Sequence, residues 1–248
     1  MTYCLSCQSE IDSSASICPH CAFPLTKPTD KGGGFIADVV TRPKIQVRVD
    51  LATTVDRTGS TERFQEGIPK AYGMILDHVS KKAREVKCWL ATHGDIDCLE
   101  YPEILTDGGQ PSQAIEDIKN ISYGGGGDPA EHHLDSIEFL LNTVPWTNDP
   151  SVARGAIIAF MTADTKPTKS GISAAELGRR IASKGLILYL ICEVTPTLWE
   201  LAQAANGLVF PISNDPDPLE MQKIGSQLAA SIVATIKGGG TVPMVASL

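Results

Sequence analysis

The sequence predicts an α/β fold: a doubly wound, mostly parallel sheet of six strands covered by helices on both faces, preceded by a small N-terminal unit organised by cysteines. Three observations carry this reading. From residue 44 onward, short apolar runs alternate with stretches of helical periodicity, the pattern of parallel strands joined by crossover helices. Loops rich in carboxylates, hydroxyls or glycine recur at 56–60, 124–131 and 162–164, and the strand-end loops of such a sheet are where ligands bind. Four of the seven cysteines fall at the start of the chain as C-x2-C-x10-C-x2-C.

Those four are Cys4, Cys7, Cys18 and Cys21. Each C-x2-C knuckle lets two thiolates approach one ion from a tight turn, and two knuckles complete the closed tetrahedron of a structural zinc site. Disulfide pairing is the competing reading. The N-terminus Met-Thr-Tyr-Cys-Leu has no basic stretch followed by an apolar one, so the secretory route that favours disulfides is not indicated. Residues 1–25 resemble the short zinc ribbons found at the N-termini of bacterial proteins, with Ala22 where a glycine is usual. His20, between two ligands, reads as a solvent-facing bystander. So short a segment cannot bury a core, and zinc is expected to supply most of its folding free energy. Residues 26–43 follow as a Pro/Gly-rich linker.

The first strand is the apolar run Ile45, Val47, Val49, Leu51, Val55, and it ends in Asp56-Arg57-Thr58-Gly59-Ser60. One carboxylate and two hydroxyls at alternate positions make an all-oxygen donor set, which suits magnesium or manganese better than zinc. Taken alone, D-x-T-x-S before a helix is more simply a turn with Ser60 or Thr61 as N-cap. The helix is expected over 62–84, with Phe64, Ile68, Tyr72, Ile75, Val79 and Ala83 at helical spacing and Pro69 marking a kink or a late start.

A second strand is expected over 86–92, leading into the acidic loop His93-Gly94-Asp95-Ile96-Asp97, and a third, antiparallel edge strand over 98–105. Helices are expected at 111–120 and 131–142. Between them the glycine run 124–127 lacks both the lysine of a phosphate-binding loop and the G-x-G-x-x-G order, so nucleotide binding is not indicated. Asp128-Pro129-Ala130-Glu131 reads as the N-cap to N3 series of the next helix, with a capping box. His132 and His133 point about 100° apart on a helix, so they chelate poorly together and read as surface residues or as supports behind a ligand. The fourth strand, 156–161, ends in Thr162-Ala163-Asp164. Then come a helix at 173–184, a strand at 186–192, a helix at 196–205 and a short sixth strand at 208–212. A last helix carries Met221, Ile224, Leu228, Ile232 and Ile236, and 238–248 reads as a flexible tail. Cys88 and Cys192 fall on strands as core residues.

The whole chain, 248 residues with 42% hydrophobic and 20% charged side chains, has ordinary globular composition. A net charge of −8 and a pI near 5.1 argue against nucleic-acid and anionic-membrane surfaces. Residues 1–25 carry only Glu10 and Asp12 as charged side chains, so a nucleic-acid role for the ribbon would lack phosphate contacts. No run approaches the length of a membrane span, and the expected location is cytoplasmic.

The order Asp56-x-Thr58-x-Ser60, Gly124–Gly127 with Asp128 and Glu131, then Asp164 resembles the von Willebrand factor A domain and its metal-ion-dependent adhesion site. The resemblance covers roughly 44–237 and is nearest to the intracellular branch with D-x-T-G-S and G-G-G-D-x-P-E, the pattern attached to alpha-kinases. It implies a Rossmann-like sheet with a magnesium or manganese ion held by Asp56, Thr58, Ser60, either Asp128 or Glu131, and Asp164. It further implies an adaptor within a multi-protein assembly, whose ion takes an Asp or Glu from a protein partner. The rival from another class is a metal-dependent hydrolase using the same ion to activate water, which needs a general base or a second ion.

Overall fold

The computed structural model describes residues 2–3, 10–12, 45–213, 218–240 and 243. The chain divides into one unit of Met1–Arg42 with Val245–Leu248 and one of Pro43–Met244. In the first, β1 (Thr2–Tyr3) pairs antiparallel with β2 (Glu10–Ile11). Cys4, Cys7, Cys18 and Cys21, with the zinc expected on them, lie outside the described residues, as do the linker and most of the tail.

The larger unit is a six-stranded sheet in the order β5-β4-β3-β6-β7-β8. β3 (Ile45–Asp56), β4 (Ala83–His93), β6 (Ala153–Phe160), β7 (Ile187–Cys192) and β8 (Leu208–Pro211) run parallel, and β5 (Glu103–Gly109) is the antiparallel edge. The first long strand is thus central, and the expected mostly parallel α/β sheet is what the chain forms. Among the described residues six α-helices complete it: α1 (Gly67–Ser80), α2 (Pro111–Lys119), α3 (His133–Thr143), α4 (Ala174–Ser183), α5 (Pro196–Ala204) and α6 (Pro218–Lys237).

Period-two alternation on the strands divides the core into two layers. Val49, Leu51 and Val55 pack with Ile68, Ile75, Ile118 and Leu228 from α1, α2 and α6. Ala52 faces the other way, with Leu134, Ile137, Leu177 and Leu198 from α3, α4 and α5. Asp56 has the parity of Ala52 and Thr54 and therefore points to the α3 side. Cys88 and Cys192 are fully buried, as expected. Among the described residues no helix is long and apolar enough to cross a membrane.

Three elements differ from the sequence reading. The helix expected over 62–84 is a 3-10 turn, Gly59–Phe64, followed by α1 from Gly67. Pro69 sits in the first turn of α1, where a missing N–H removes no intrahelical bond. The edge strand begins at Glu103 rather than 98, because Ile96–Cys98 closes into a 3-10 turn capped by the Asp95 side chain. α3 begins at His133, and the capping box at 128–131 does not form. The backbone of Glu131 is engaged elsewhere: its N–H donates to the Asp164 carbonyl at 2.9 Å and its own carbonyl accepts from Lys166 N–H at 2.8 Å.

Candidate metal centre

Asp56 is the last residue of the central strand and is fully buried. Its Oδ1 accepts from the Thr58 N–H at 2.9 Å and the Thr58 hydroxyl at 2.8 Å. Its Oδ2 accepts from the Thr61 hydroxyl at 2.8 Å and the Thr162 hydroxyl at 3.3 Å. Burial works against this charge, but the His133 and His93 rings beside it and the Thr58 hydrogen bonds hold the carboxyl below its ordinary range. The Ser60 hydroxyl lies 3.0 Å from that of Thr58 and 3.1 Å from that of Thr162. Asp56, Thr58, Ser60 and Thr162 therefore form one cluster of oxygens at the carboxyl ends of β3 and β6.

Glu131 enters from the second loop. The parallel bridge between Glu131 and Thr165 zips the second loop to the third and holds the glutamate buried, at 3% exposure. Its Oε2 is buried with no hydrogen-bond partner. Burial, and next the charges of Asp56 and Asp95, push its carboxyl up to about 8. The glycine run brings it close to the first motif. At Gly126, with φ at +80°, a Cβ would stand 2.9 Å from Glu131 Oε1 and 3.3 Å from Thr58 Cβ, so only glycine fits there without displacement.

Asp128 and Asp164 do not join this cluster. Asp128 is exposed and pairs with Lys166 Nζ at 3.1 Å. Asp164 is exposed, and its carboxylate accepts from the N–H of Thr165 at 2.8 Å. Its contribution is its carbonyl, which anchors Glu131. Thr162 was the residue missed: it stands in the same triplet as Asp164, and its only signal was its place two residues beyond the β6 end.

Behind the cluster lies a buried polar chain. Ser136 and Thr54 share a hydroxyl contact, Thr54 Oγ1 lies 2.8 Å from His93 Nδ1, and His93 Nε2 lies 2.8 Å from His133 Nδ1. Burial, and next the facing His133 ring, push His93 down to about 3, and burial lowers His133 as well. The surface reading of His132 and His133 is corrected: both are buried, because α3 starts two residues later than expected and its first turn faces the sheet.

Beside the cluster, the acidic loop brings Asp95 Oδ1 to 2.9 Å from His132 Nδ1, and Asp95, Asp97 and His132 lie close enough together to hold an ion. Lys166 stands among these carboxylates, with Nζ at 2.8 Å from Asp95, 3.1 Å from Asp97 and 3.1 Å from Asp128. The Asp95 hydrogen bond leads in raising the lysine pKa. Asp97 is held down to about 2 by Lys169 first and then Lys166. An ammonium thus does here what a second cation would do, whereas Glu131 and Asp56 have no such partner.

No protein-family model matches the sequence, and no curated protein matches it. Among solved structures the chain is similar to the VWA domain of SpRpn10, with a TM-score of 0.56 at 16% identity over 72% of this chain and 94% of that one. It is also similar to proximal thread matrix protein 1 from the mussel byssus, in a form whose MIDAS motif is occupied by zinc, with a TM-score of 0.54 at 14% identity over 75% of this chain and 47% of that one. A von Willebrand factor type A structure from Catenulispora acidiphila gives a TM-score of 0.50 at 15% identity over 75% of this chain and 43% of that one. The chain spans about half the length of the latter two. These likenesses establish the fold of the larger unit as that of a von Willebrand factor A domain.

Proposed function

We propose that the larger unit is a metal-dependent protein-binding module, an adaptor whose magnesium or manganese ion takes a carboxylate from a partner protein. The observation that carries this is Glu131 Oε2, a buried carboxylate oxygen with no partner, beside the buried carboxylate of Asp56. Two acids so placed are costly unless a cation joins them. Asp56, Thr58, Ser60 and Glu131 are the residues that would hold it, with Thr162 fixing Asp56 and Ser60. The donors are all oxygen, which suits a hard ion. The zinc-occupied motif of the similarly folded thread matrix protein supports a cation at this end of the sheet. With hydroxyls supplying neutral donors, the ion keeps enough charge to recruit an outside carboxylate.

The hydrolase reading has less behind it. His93 spends both ring nitrogens on Thr54 and His133, which leaves it no lone pair for water. For the N-terminal segment we propose one structural zinc on Cys4, Cys7, Cys18 and Cys21, measurable by metal analysis.

The test is titration of the full chain with manganese by calorimetry, followed by pull-down with magnesium or with chelator. Wild type is expected to bind one ion at this site and to lose its partner in EDTA. Asp56→Ala is expected to lose both ion and partner while keeping its fold. A partner held equally well by Asp56→Ala would remove the metal face as the interaction surface.

A further inference from the structure

We propose that the opposite end of the sheet carries an anion site, formed by Arg154 and Lys184 at the amino ends of β6 and β7, which takes a phosphate dianion, free or as a phosphomonoester. It stands apart from the ion-site reading and does not depend on it. The eight residues of β6 separate the two places, about 25 Å at ~3.3 Å per residue. A cavity of about 250 Å3 opens there between the 147–150 loop and the turn after α4, with Thr147, Asn148, Arg154, Ser183, Lys184 and Gly185 in its wall and no carboxylate. That is below the ~300 Å3 at which sites for drug-sized ligands begin, so a small group suits it. The parallel register sets Ala156 opposite Ile187. Continued two residues back, it puts Arg154 level with Gly185, one strand spacing of ~4.8 Å away and next to Lys184.

Neither cation is neutralised by the fold. Among the described residues neither forms an ion pair with a carboxylate. Arg154 Nη1 donates to the Gly239 carbonyl at 3.2 Å, which orients the guanidinium and leaves its other N–H groups to donate elsewhere. A lysine at a helix C-terminus often serves the last carbonyls. Here the backbone serves them: Gly185, with φ at +66°, donates its N–H to Ala182 at 2.9 Å, and Leu186 N–H reaches the Ile181 carbonyl at 3.3 Å. Lys184 is therefore not needed as a cap, and its ammonium is exposed beside the cavity. The acid of the neighbouring loop is engaged elsewhere. Asp149 Oδ1 accepts from the Ser151 N–H at 2.9 Å and the Ser151 hydroxyl at 2.6 Å. Thr147 Oγ1 accepts from the Asp149 N–H at 3.2 Å, which leaves its O–H to donate. A guanidinium fork, an ammonium point charge and a hydroxyl donor with no competing carboxylate match the oxygens of a doubly charged phosphate.

The probes are inorganic phosphate, a phosphoserine peptide and the same peptide unphosphorylated, titrated by calorimetry into the full chain at low salt with no divalent ion added. Expected is saturable binding of one phosphate group per chain. Lys184→Gln and Arg154→Gln should each weaken it at least about tenfold, with Tm unchanged in the exposed Lys184→Gln. Asp56→Ala should bind as wild type does, which separates this site from the ion centre, and so should Lys223→Gln, an exposed lysine of α6. Tighter binding of the phosphopeptide than of inorganic phosphate assigns the group to a partner's modified side chain, and equal binding assigns it to a free phosphate. Binding unchanged in Lys184→Gln, or weakened as much by Lys223→Gln, would show only general charge attraction and overturn the site. No saturable binding of either phosphate probe would overturn it as well, and would leave the ion-site reading untouched.

Discussion

Lys166 donates its backbone N–H to the carbonyl of Glu131 at 2.8 Å while its ammonium reaches Asp95 at 2.8 Å, so one residue both fixes the buried glutamate and neutralises the acidic loop beside it. The third loop is thereby joined to the second through the backbone and to the acidic loop after β4 through the side chain.

Lys166→Met is expected to keep the backbone bridge but strand Asp95, which is 1% exposed. Removing one partner of a buried pair is costly, and partial solvent access at Lys166 reduces that cost to about 1–2 kcal/mol. Urea unfolding of chelator-treated protein measures it.

Glu131→Gln separates the ion from the fold. Without metal the amide removes a carboxyl that burial disfavours, so the chelated variant should be at least as stable as wild type. With manganese it should show little or none of the wild-type rise in Tm, because a ligand that binds only the native state stabilises it by mass action. A parallel Asp128→Asn protein should keep the rise. Paired thermal melts decide between the two carboxylates.

Two glycines should respond with opposite signs. Gly73 lies inside α1 with open space around its missing Cβ, so Gly73→Ala should stabilise by about 0.5–1 kcal/mol. Gly126→Ala meets a φ of +80° and the Glu131 carboxylate, and should cost about 1–3 kcal/mol. Manganese affinity should fall only in the second variant.

Acid should unfold the chelated protein in a way that tracks His93. Its folded pKa, pushed down by burial to about 3, lies below its unfolded value of about 6.5. The unfolded chain therefore binds the proton first, and stability falls as pH drops from about 6.5 toward 3. His93→Gln should flatten that slope, read as urea midpoints across the range.

Leu99→Gly relieves the left-handed backbone and should raise stability by about 1 kcal/mol. A denaturant melt measures the gain.

The alternation of apolar runs and helical periodicity was enough to establish the α/β class and the antiparallel edge. Those features follow from side-chain periodicity and connection length, which are local properties of the chain. The first loop was equally legible, because Asp56, Thr58 and Ser60 are held together within five residues by their own hydrogen bonds. What the sequence left open was which residues of the other two loops meet them. Asp128 and Glu131 have equal claims in the sequence. Only the bridge to Asp164 and Lys166, across more than thirty residues of chain, turns Glu131 inward and leaves Asp128 to the solvent and Lys166. That bridge also takes the backbone of Glu131 out of α3, so the helix starts later and buries His132 and His133. Thr162 reaches Asp56 and Asp164 does not, because the register of β6 against β3 sets which residue stands level with the site. Such choices are made by long-range backbone hydrogen bonds, and these come into being only when the sheet has assembled.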